Sequence, residues 1–245
     1  MKPTVGVVVP ARNEEARIGA CLEALAAQRD VDLARVLVVL VLDDCSDGTR
    51  AMALAVAARR PALRLCLING SGMGAGPARA LGMRHARDAI DSDDRFALLL
   101  STDADTRVGP AWIASQIAAV GSGSLAIGGL IELDPDEARR HPAAVETRAR
   151  RAPGRLLAVR RHTAGAEHHH FSGASFALTP ATYDRIGGLP DPEVLEDEAL
   201  ERHLRERDVP ICYLRSVQVV TSARLNGRVR GAGLAHALRA AVGDG

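Results

Sequence analysis

The order of apolar and polar positions predicts alternating strands and helices along the first half of the chain. Short runs rich in valine, isoleucine and leucine alternate with longer alanine-rich segments of helical spacing. This alternation is typical of a parallel sheet covered by helices on both faces. The predicted strands are Thr4–Val9, Val36–Leu42, Leu63–Ile68 and Phe96–Leu100, and the predicted helices are Glu14–Gln28, Gly48–Arg59 and Pro77–Ala89.

The second half has a less regular pattern. An amphipathic helix is predicted over Asp197–Arg207, and the polar, arginine-rich segment Asp134–Glu167 indicates no particular element. A chain of 245 residues is long enough to bury one core, so we expect a single α/β domain over residues 1–245. The strand-like runs of this half are Ser124–Leu133, Phe171–Leu178, Val209–Leu214 and Val217–Val220.

Charge and composition exclude several classes of function. With 31 basic and 30 acidic residues, the chain gives no reason to expect nucleic acid or an anionic membrane as its main partner. Lys2 is the only lysine, which argues against a P-loop, a Schiff base with a pyridoxal cofactor and a protein kinase. Any basic patch must therefore be local and built from arginine.

Cysteine spacing and hydropathy bear on the compartment. The cysteines are scattered, without the spacing of a zinc knuckle or a redox pair. The longest apolar stretch, Val36–Leu42, is far shorter than a membrane-spanning helix, and no export leader precedes it. We expect a cytoplasmic protein without a transmembrane segment, and we leave peripheral association at the inner membrane face open. The four cysteines are Cys21, Cys45, Cys66 and Cys212.

Polar segments follow each of the first four predicted strands. In open parallel sheets, ligands bind beyond the carboxyl ends of the strands, so chemistry is expected in these segments. They are Pro10–Glu15, Asp43–Gly48, Gly70–Gly76 and Thr102–Asp105.

The last of these segments ends in two carboxylates, Asp103 and Asp105, separated by Ala104. Oxygen ligands of this kind suit Mg²⁺ or Mn²⁺, which keep several waters and share their coordination with substrate phosphates. A metal there would neutralise a diphosphate leaving group. The alternative is an acidic turn that caps the next helix.

The second and third segments point to a nucleotide. Asp44 offers a carboxylate that can accept a hydrogen from a uracil or guanine ring, although a helix-capping role is also open. Gly70–Gly76 invites a dinucleotide-binding interpretation, but the strict glycine spacing fails at Ala75 or Pro77. The loop could instead approach a diphosphate, with Arg79 on the following helix.

Two further clusters carry titratable groups. Glu196 and Asp197 open the predicted helix, where Asp197 could serve as a cap or as a general base for an acceptor hydroxyl. Consecutive histidines on an extended segment point to opposite faces, so they converge poorly on one metal ion. We therefore prefer an acceptor-site or structural role for His168, His169 and His170.

Six segments, taken in order, resemble the successive motifs of family 2 glycosyltransferases. They are VVVPARNEE, VLDDCSDGT, GPARALG, STDADT, FSGASFALTPATYDRIGGLP and LEDEALERHL. The resemblance implies a GT-A fold with a Rossmann-like, mostly parallel central sheet. It also implies a nucleotide-sugar and metal half over about residues 1–105 and an acceptor half over about 106–245.

The resemblance implies metal-dependent transfer of a sugar, with inversion, from a nucleotide-diphosphate sugar to an unidentified acceptor hydroxyl. The acceptor could be a small molecule, a glycan or a lipid-linked molecule. The Gln-x-x-Arg-Trp motif of processive synthases is absent, which favours single addition. The implied residues are Pro10, Arg12, Asn13, Glu14 and Asp44 at the base and ribose, Arg79 at the diphosphate, Asp103 at the ribose with Ala104 in the nucleotide-sugar site, Asp105 at the metal, and Asp197 as base.

The sequence also departs from the family pattern. Ala80 replaces an asparagine that many members carry, and the later metal-ligand histidine has no clear counterpart. Thr221–Arg230 instead offers three arginines, Arg224, Arg228 and Arg230, that could fold over the diphosphate. The acceptor side is implied at Phe171–Ala177 and Gly187–Leu189.

Two other classes of function remain alternatives. A nicotinamide-dependent oxidoreductase would rest on the glycine loop, but it leaves Asp103, Asp105 and Asp197 without a role. A non-catalytic protein that binds nucleotide sugars would keep the pocket and lose turnover.

Overall fold

The computed structural model of the chain describes residues 2–189 and 196–224. These residues form one eight-stranded sheet and the helices that pack against it. The strands are β1 Val5–Ala11, β2 Val36–Asp43, β3 Arg64–Gly70, β4 Leu98–Ser101, β5 Thr106–Val108, β6 Ala126–Leu133, β7 Phe176–Leu178 and β8 Ile211–Thr221. The helices are α1 Glu15–Ala26, α2 Thr49–Arg59, α3 Ala75–Ala89, α4 Trp112–Gly121, α5 Pro135–Ala138, α6 Pro142–Arg160, α7 Pro180–Arg185 and α8 Glu196–Arg205.

The sheet is mostly parallel and has the strand order β3-β2-β1-β4-β7-β6-β8-β5. Strands β1 to β4 pair in parallel, and β6 pairs in parallel with β8. Strands β5 and β7 run against their neighbours. The carboxyl ends of β1, β2, β4, β6 and β8 therefore lie along the same edge of the sheet.

The core consists of two apolar layers, one on each face of the sheet. Every residue of β1 is buried, which explains its continuous apolar sequence. Val7 packs in one layer with Ile18 of α1 and Trp112 of α4, whereas Val8 packs in the other with Met83 of α3. The prediction of a helix-covered α/β sheet is confirmed.

Helix α3 packs so closely against the sheet that one of its positions, Gly82, has no room for a side chain. A Cβ atom on Gly82 would lie 2.4 Å from Cγ1 of Val8 and 2.9 Å from Cγ2 of Val41. This close packing fixes the first turn of α3, and with it Arg79, relative to the ends of β1 and β2.

Several expectations for the second half are corrected. The arginine-rich segment Asp134–Glu167 contains α5 and the 19-residue helix α6. Only Phe176–Leu178 of the predicted strand Phe171–Leu178 is a strand, since a turn closes the bridge between Ser172 and Ser175.

The two runs Val209–Leu214 and Val217–Val220 belong to one strand, β8. Its pairing with β6 shifts register between Gly129 and Leu130, so the polar residues that separate the two runs form an irregularity and not a loop. Among the helices in the described ranges, none is long and apolar enough to cross a membrane.

Candidate functional site

The carboxyl edge of the sheet collects the polar segments that follow β1, β2 and β4, together with the residues that follow β8. These segments are distant in sequence and become neighbours because their strands run in the same direction. The edge carries an acidic cluster, Glu14, Asp103 and Asp105, and two arginines, Arg79 and Arg224.

Asp103 is held in place by a buried arginine. Arg79 is 4% exposed and donates from Nη2 to Oδ1 of Asp103 at 2.9 Å. Its Nη1 donates to Ser101 Oγ at 2.6 Å and to the carbonyl of Gly173 at 3.2 Å. These contacts offset the free-energy cost of burying the guanidinium and fix its direction towards Asp103. The side chain of Asp103 itself is 34% exposed.

Asp105 lies deeper, with 14% of its side chain exposed. Burial raises the pKa of Asp105 to about 6, and the nearby Asp103 adds to the increase, whereas Arg224 opposes it. The hydroxyl groups of Thr106 and Thr221 lie 3.4 Å from its Oδ1. A cavity of about 310 Å³ opens beside Asp105 and is lined by Ala16, Arg17, Ala20, Arg107, Asp134, Glu137 and Ser222.

Arg224 places a guanidinium between two carboxylates. Its Nη2 lies 2.9 Å from Oδ2 of Asp105 and 2.5 Å from Oε1 of Glu14, and its Nη1 lies 3.0 Å from Oε2 of Glu14. Glu14 is only 6% exposed. The acidic cluster therefore attracts a cation in this structure, and that cation comes from the chain itself.

The segment that carries Arg224 is anchored from α5. Glu137 accepts from the hydroxyl of Ser222 at 2.5 Å and from the amide of Ala223 at 2.9 Å, and it also pairs with Arg17 at 3.2 Å. The anchored segment crosses the acidic cluster directly after β8. Residues 225–245, which include Arg228 and Arg230, lie outside the described residues.

The residues after β1 and β2 form a more open part of the edge. Asp44 has a side chain that is 69% exposed and lies 3.6 Å from Nη2 of Arg12. Asn13 accepts from the amide of Ser46 at 2.7 Å, which ties the two segments together. Positive φ angles of 52° at Asn13 and 54° at Asp44 turn the chain at these points. The side chains of Asp44 and Arg12 are thus exposed at this part of the edge.

The glycine loop is organised by Asp43. This carboxylate is 2% exposed and accepts from the amides of Gly72, Met73 and Gly74 at 2.8, 2.9 and 2.9 Å. A dinucleotide-binding loop presents such amides to a pyrophosphate. Here the protein supplies the anion, which argues against the oxidoreductase alternative.

Several other candidate residues do not line an open pocket. Pro10 is buried within β1, and Ala104 is 3% exposed and packs in the core. Glu14, expected at the base and ribose, instead has its carboxylate on Arg224. Asp197 falls in the first turn of α8, and its side chain lies outside the described residues.

The rings of His168, His169 and His170 lie close together instead of pointing to opposite faces of the segment. The ring centroids of His169 and His170 are 4.2 Å apart, and those of His168 and His170 are 5.6 Å apart. Burial, with Arg155 and Arg148 nearby, lowers the pKa of His169 to about 4. Nδ1 of His170 accepts from the amide of Ile131 at 3.1 Å, which gives this cluster a structural role.

The donor set fits a metal that is shared with a ligand. No group of three or more histidine, cysteine, aspartate or glutamate side chains in the described region could hold a metal ion alone. Mg²⁺ and Mn²⁺ in phosphate-binding sites need only one or two carboxylates, with phosphate and water completing the shell. Asp105, with Asp103 beside it and a guanidinium already drawn to it, meets that requirement.

Sequence reasoning named Arg224 as a candidate at the diphosphate, but it missed the carboxylates that Arg224 pairs with and the anchoring residues Glu137 and Ser222. Glu137 and Ser222 are separated by 85 residues, and Arg224 and Glu14 by 210 residues. No local pattern reports such a contact. The position of Arg224 just beyond the last strand, at the edge where Asp105 was expected, was the one available signal.

Comparison with known proteins identifies the fold. The mannosyltransferase PcManGT from Pyrobaculum calidifontis, solved with GDP-Man and Mn²⁺, is 22% identical, covers 93% of this chain and 59% of its own, and has a TM-score of 0.67. TarS 1-349 from S. aureus, solved with UDP-GlcNAc, is 17% identical, with 94% and 60% coverage and a TM-score of 0.67. The chain thus spans about 60% of the length of these two structures.

GalNAc-T7, solved with UDP, GalNAc and Mn²⁺, is 15% identical, with 92% and 45% coverage and a TM-score of 0.65. At these identities the likeness shows the GT-A fold. No curated protein matches the sequence. The family model described as Glycosyl transferase family 2 matches residues 6–179, which is more than half of the chain. Four of the six motifs noted in the sequence lie within that match, the fifth begins within it and LEDEALERHL lies beyond it; the chain belongs to glycosyltransferase family 2.

Proposed function

We propose that this chain transfers a sugar from a nucleotide-diphosphate sugar to an acceptor hydroxyl, with a divalent cation at Asp105. The observation that carries the proposal is the acidic cluster at the carboxyl edge, where Asp105 and Glu14 share a guanidinium. Support also comes from PcManGT and GalNAc-T7, whose structures contain a nucleotide or nucleotide sugar with Mn²⁺.

The cation would be held by Asp105, with Asp103 beside it, and would replace the guanidinium of Arg224 against Asp105. When bound, it neutralises negative charge on the diphosphate leaving group. Arg224, once released from Asp105, remains a cation at the same edge and can pair with a phosphate oxygen. Mg²⁺ and Mn²⁺ suit this oxygen-rich donor set equally.

The donor's nucleotide would lie on the more exposed part of the edge. The carboxylate of Asp44 accepts a hydrogen from the base, and Arg12 lies next to it at 3.6 Å. Asp103 accepts from the ribose, and Arg79 acts as a positioning residue because its contacts fix the direction of that carboxylate. This assignment moves Arg79 from the diphosphate, where the family resemblance put it, to a place beneath Asp103.

The transfer step is a single displacement with inversion. The acceptor oxygen forms a bond to the anomeric carbon while the bond from that carbon to the diphosphate oxygen breaks, and the diphosphate leaves with the electron pair. The hydroxyl proton goes to Asp197, a carboxylate in the first turn of α8. The amino end of a helix keeps such a carboxylate ionised, and the transfer of one sugar completes the cycle.

A specific observation weighs against the oxidoreductase alternative. The three amides that a nicotinamide cofactor would need in the glycine loop are bound by Asp43. A protein that only binds nucleotide sugars would not need a general base, so the role proposed for Asp197 distinguishes it from an enzyme. Slow hydrolysis of the donor without any acceptor would separate an enzyme from a binding protein.

The role of Asp197 is tested by a conservative substitution. Asp197→Asn keeps the size of the side chain and much of its capping ability but removes its basicity, so transfer should fall by about 10²–10⁴-fold. Binding of donor and Mn²⁺, measured by calorimetry, should stay unchanged. Glu196→Gln is the matched control, because adjacent residues at a helix start point in different directions. Normal transfer in both variants would remove this segment from the mechanism.

A further inference from the structure

Helix α6 and the residues that flank it concentrate positive charge in a chain that is otherwise acidic. Residues 139–162 contain eight arginines and one carboxylate, Glu146, a net charge of +7. The whole chain carries +1, so the remainder carries −6. The near neutrality of the sequence therefore conceals a strong charge asymmetry.

Five arginines of this segment form an exposed basic surface, which we name the α6 basic surface. They are Arg150, Arg151, Arg155, Arg160 and Arg161. Within the described residues, none of them lies within salt-bridge distance of a carboxylate, whereas twelve arginines elsewhere do. Those twelve are Arg12, Arg17, Arg35, Arg59, Arg60, Arg79, Arg87, Arg107, Arg139, Arg202, Arg205 and Arg224.

This arrangement is unfavourable in the isolated chain. Arg151 and Arg155 are four residues apart on one side of the helix, where like charges repel. The inner side of α6 is already used by the fold, since Val159 is 8% exposed and packs in the core. Arg160 donates from Nε to the carbonyl of Ala166 at 2.9 Å, but none of the five meets a carboxylate in the described fold, and an external anionic surface would supply negative charge.

An apolar side chain lies on one part of the α6 basic surface, beside Arg150 and Arg161. Leu157 is 65% exposed, more than any of the other large hydrophobic side chains that are exposed in the described residues. At 100° per residue, Leu157 falls on the same stripe as Arg150 and Arg161. Arginines around an exposed leucine fit the boundary between lipid headgroups and acyl chains.

We propose that the α6 basic surface docks the protein onto an anionic phospholipid bilayer. Nucleic acid is disfavoured because bases stack on aromatic residues, which make up 2% of the chain. The exposed apolar side chain next to these arginines, Leu157, is aliphatic. Arg148, on the same helix, donates to the carbonyl of Ile131 at 2.9 Å near the end of β6. The first half of α6 thus lies at the same sheet edge as Asp105, and docking brings that edge towards the lipid.

The proposal is tested by flotation and by titration with vesicles. The full chain should bind vesicles of phosphatidylcholine mixed with phosphatidylglycerol and should not bind vesicles of phosphatidylcholine alone. Binding should weaken as salt increases, because surface charges are screened. Replacing Arg150, Arg151 and Arg161 with glutamine should weaken it on the order of 100-fold, since each arginine near an anionic surface contributes roughly fivefold.

A matched control removes the same charge from other exposed positions. Replacing Arg29, Arg59 and Arg60 with glutamine should leave vesicle binding within a few-fold of the unsubstituted protein. Leu157→Ser should weaken binding and leave its salt dependence unchanged. Circular dichroism and nucleotide binding with Mn²⁺ should be the same in all variants, which separates this proposal from the proposed transfer.

Three outcomes would overturn the proposal. The first is no binding to the anionic vesicles. The second is an equal loss in the control variant, which would indicate attraction by net charge alone. The third is tighter binding to a single-stranded oligonucleotide than to the vesicles, with the same dependence on Arg150, Arg151 and Arg161.

Discussion

Individual side chains at the sheet edge are arranged by buried charge. A guanidinium that is 4% exposed is costly unless every donor direction is satisfied. Arg79 donates to Ser101, Gly173 and Asp103 among its contacts, so its geometry is strongly determined. Since Asp103 is one of the three contacts, the direction of this carboxylate depends on residues that never reach the ligand.

Gly173→Ala tests this dependence without changing any charge. A Cβ atom at position 173 would lie 2.2 Å from Nη2 of Arg79, so the guanidinium must shift and release Asp103. We expect a loss of about 3 kcal/mol in the free energy of unfolding, as for a broken buried ion pair, together with weaker donor binding. Thermal unfolding and calorimetry measure the two effects.

Gly154→Ala is the control for this substitution. It lies within α6, and a Cβ atom there would meet nothing within 4 Å. Alanine should stabilise the helix slightly and leave donor binding unchanged. If Gly173→Ala were as stable as the unsubstituted protein and bound donor normally, Arg79 would not position Asp103.

The helices and strands differ in how far the sequence predicts them. Strands β1 to β4 and helices α1 to α3 are predicted within a few residues, because buried strands are continuous apolar runs and their helices have regular spacing. Strand β5, at three residues, is too short to show a period. Helix α6 escapes prediction because Pro153 and Gly154 lie inside it and its buried apolar side is narrow.

The candidate site, like the fold, is only partly predictable from the sequence. Asp44, Asp103 and Asp105 are found from sequence because they directly follow apolar strands. The pairing of Arg224 with Asp105 and Glu14 is a long-range contact made by the segment after β8. The anchoring of that segment by Glu137 likewise leaves no trace in local sequence.

The segment after β8 gives a prediction about metal binding. Arg224→Ala leaves Glu14, which is 6% exposed, and Asp105 without their shared cation. Without metal, the variant should lose about 3 kcal/mol in the free energy of unfolding. Mn²⁺ should stabilise the variant more than the unsubstituted protein, because the metal no longer competes with a guanidinium. Thermal unfolding with Mn²⁺ and with chelator measures both effects.

Arg107→Ala is the control for Arg224→Ala. Arg107 pairs with Asp134 at 2.8 Å, and 48% of its side chain is exposed, so its loss should cost at most about 1 kcal/mol. Its response to Mn²⁺ should match that of the unsubstituted protein. If Mn²⁺ stabilised Arg224→Ala and the unsubstituted protein equally, the guanidinium and the metal would not share a position.

At the scale of the whole molecule, the topology concentrates opposite charges at different places. The parallel strands bring Glu14, Asp103 and Asp105 to one edge of the sheet. Helix α6 and its C-terminal neighbour carry five exposed arginines without a carboxylate partner in the described fold, and the first half of α6 lies beside the same edge. A donor with a diphosphate and a divalent cation fits the first feature, and an anionic bilayer fits the second.

The central claim is that Asp105 links nucleotide binding to a divalent metal. Isothermal titration calorimetry with UDP, GDP and dTDP, each with Mn²⁺ and with chelator, tests it directly. The account predicts that at least one nucleotide binds more tightly with Mn²⁺, and that Asp105→Asn, while still folded, loses this enhancement. Equal affinity with Mn²⁺ and with chelator in the unsubstituted protein, or full enhancement in Asp105→Asn, would contradict it.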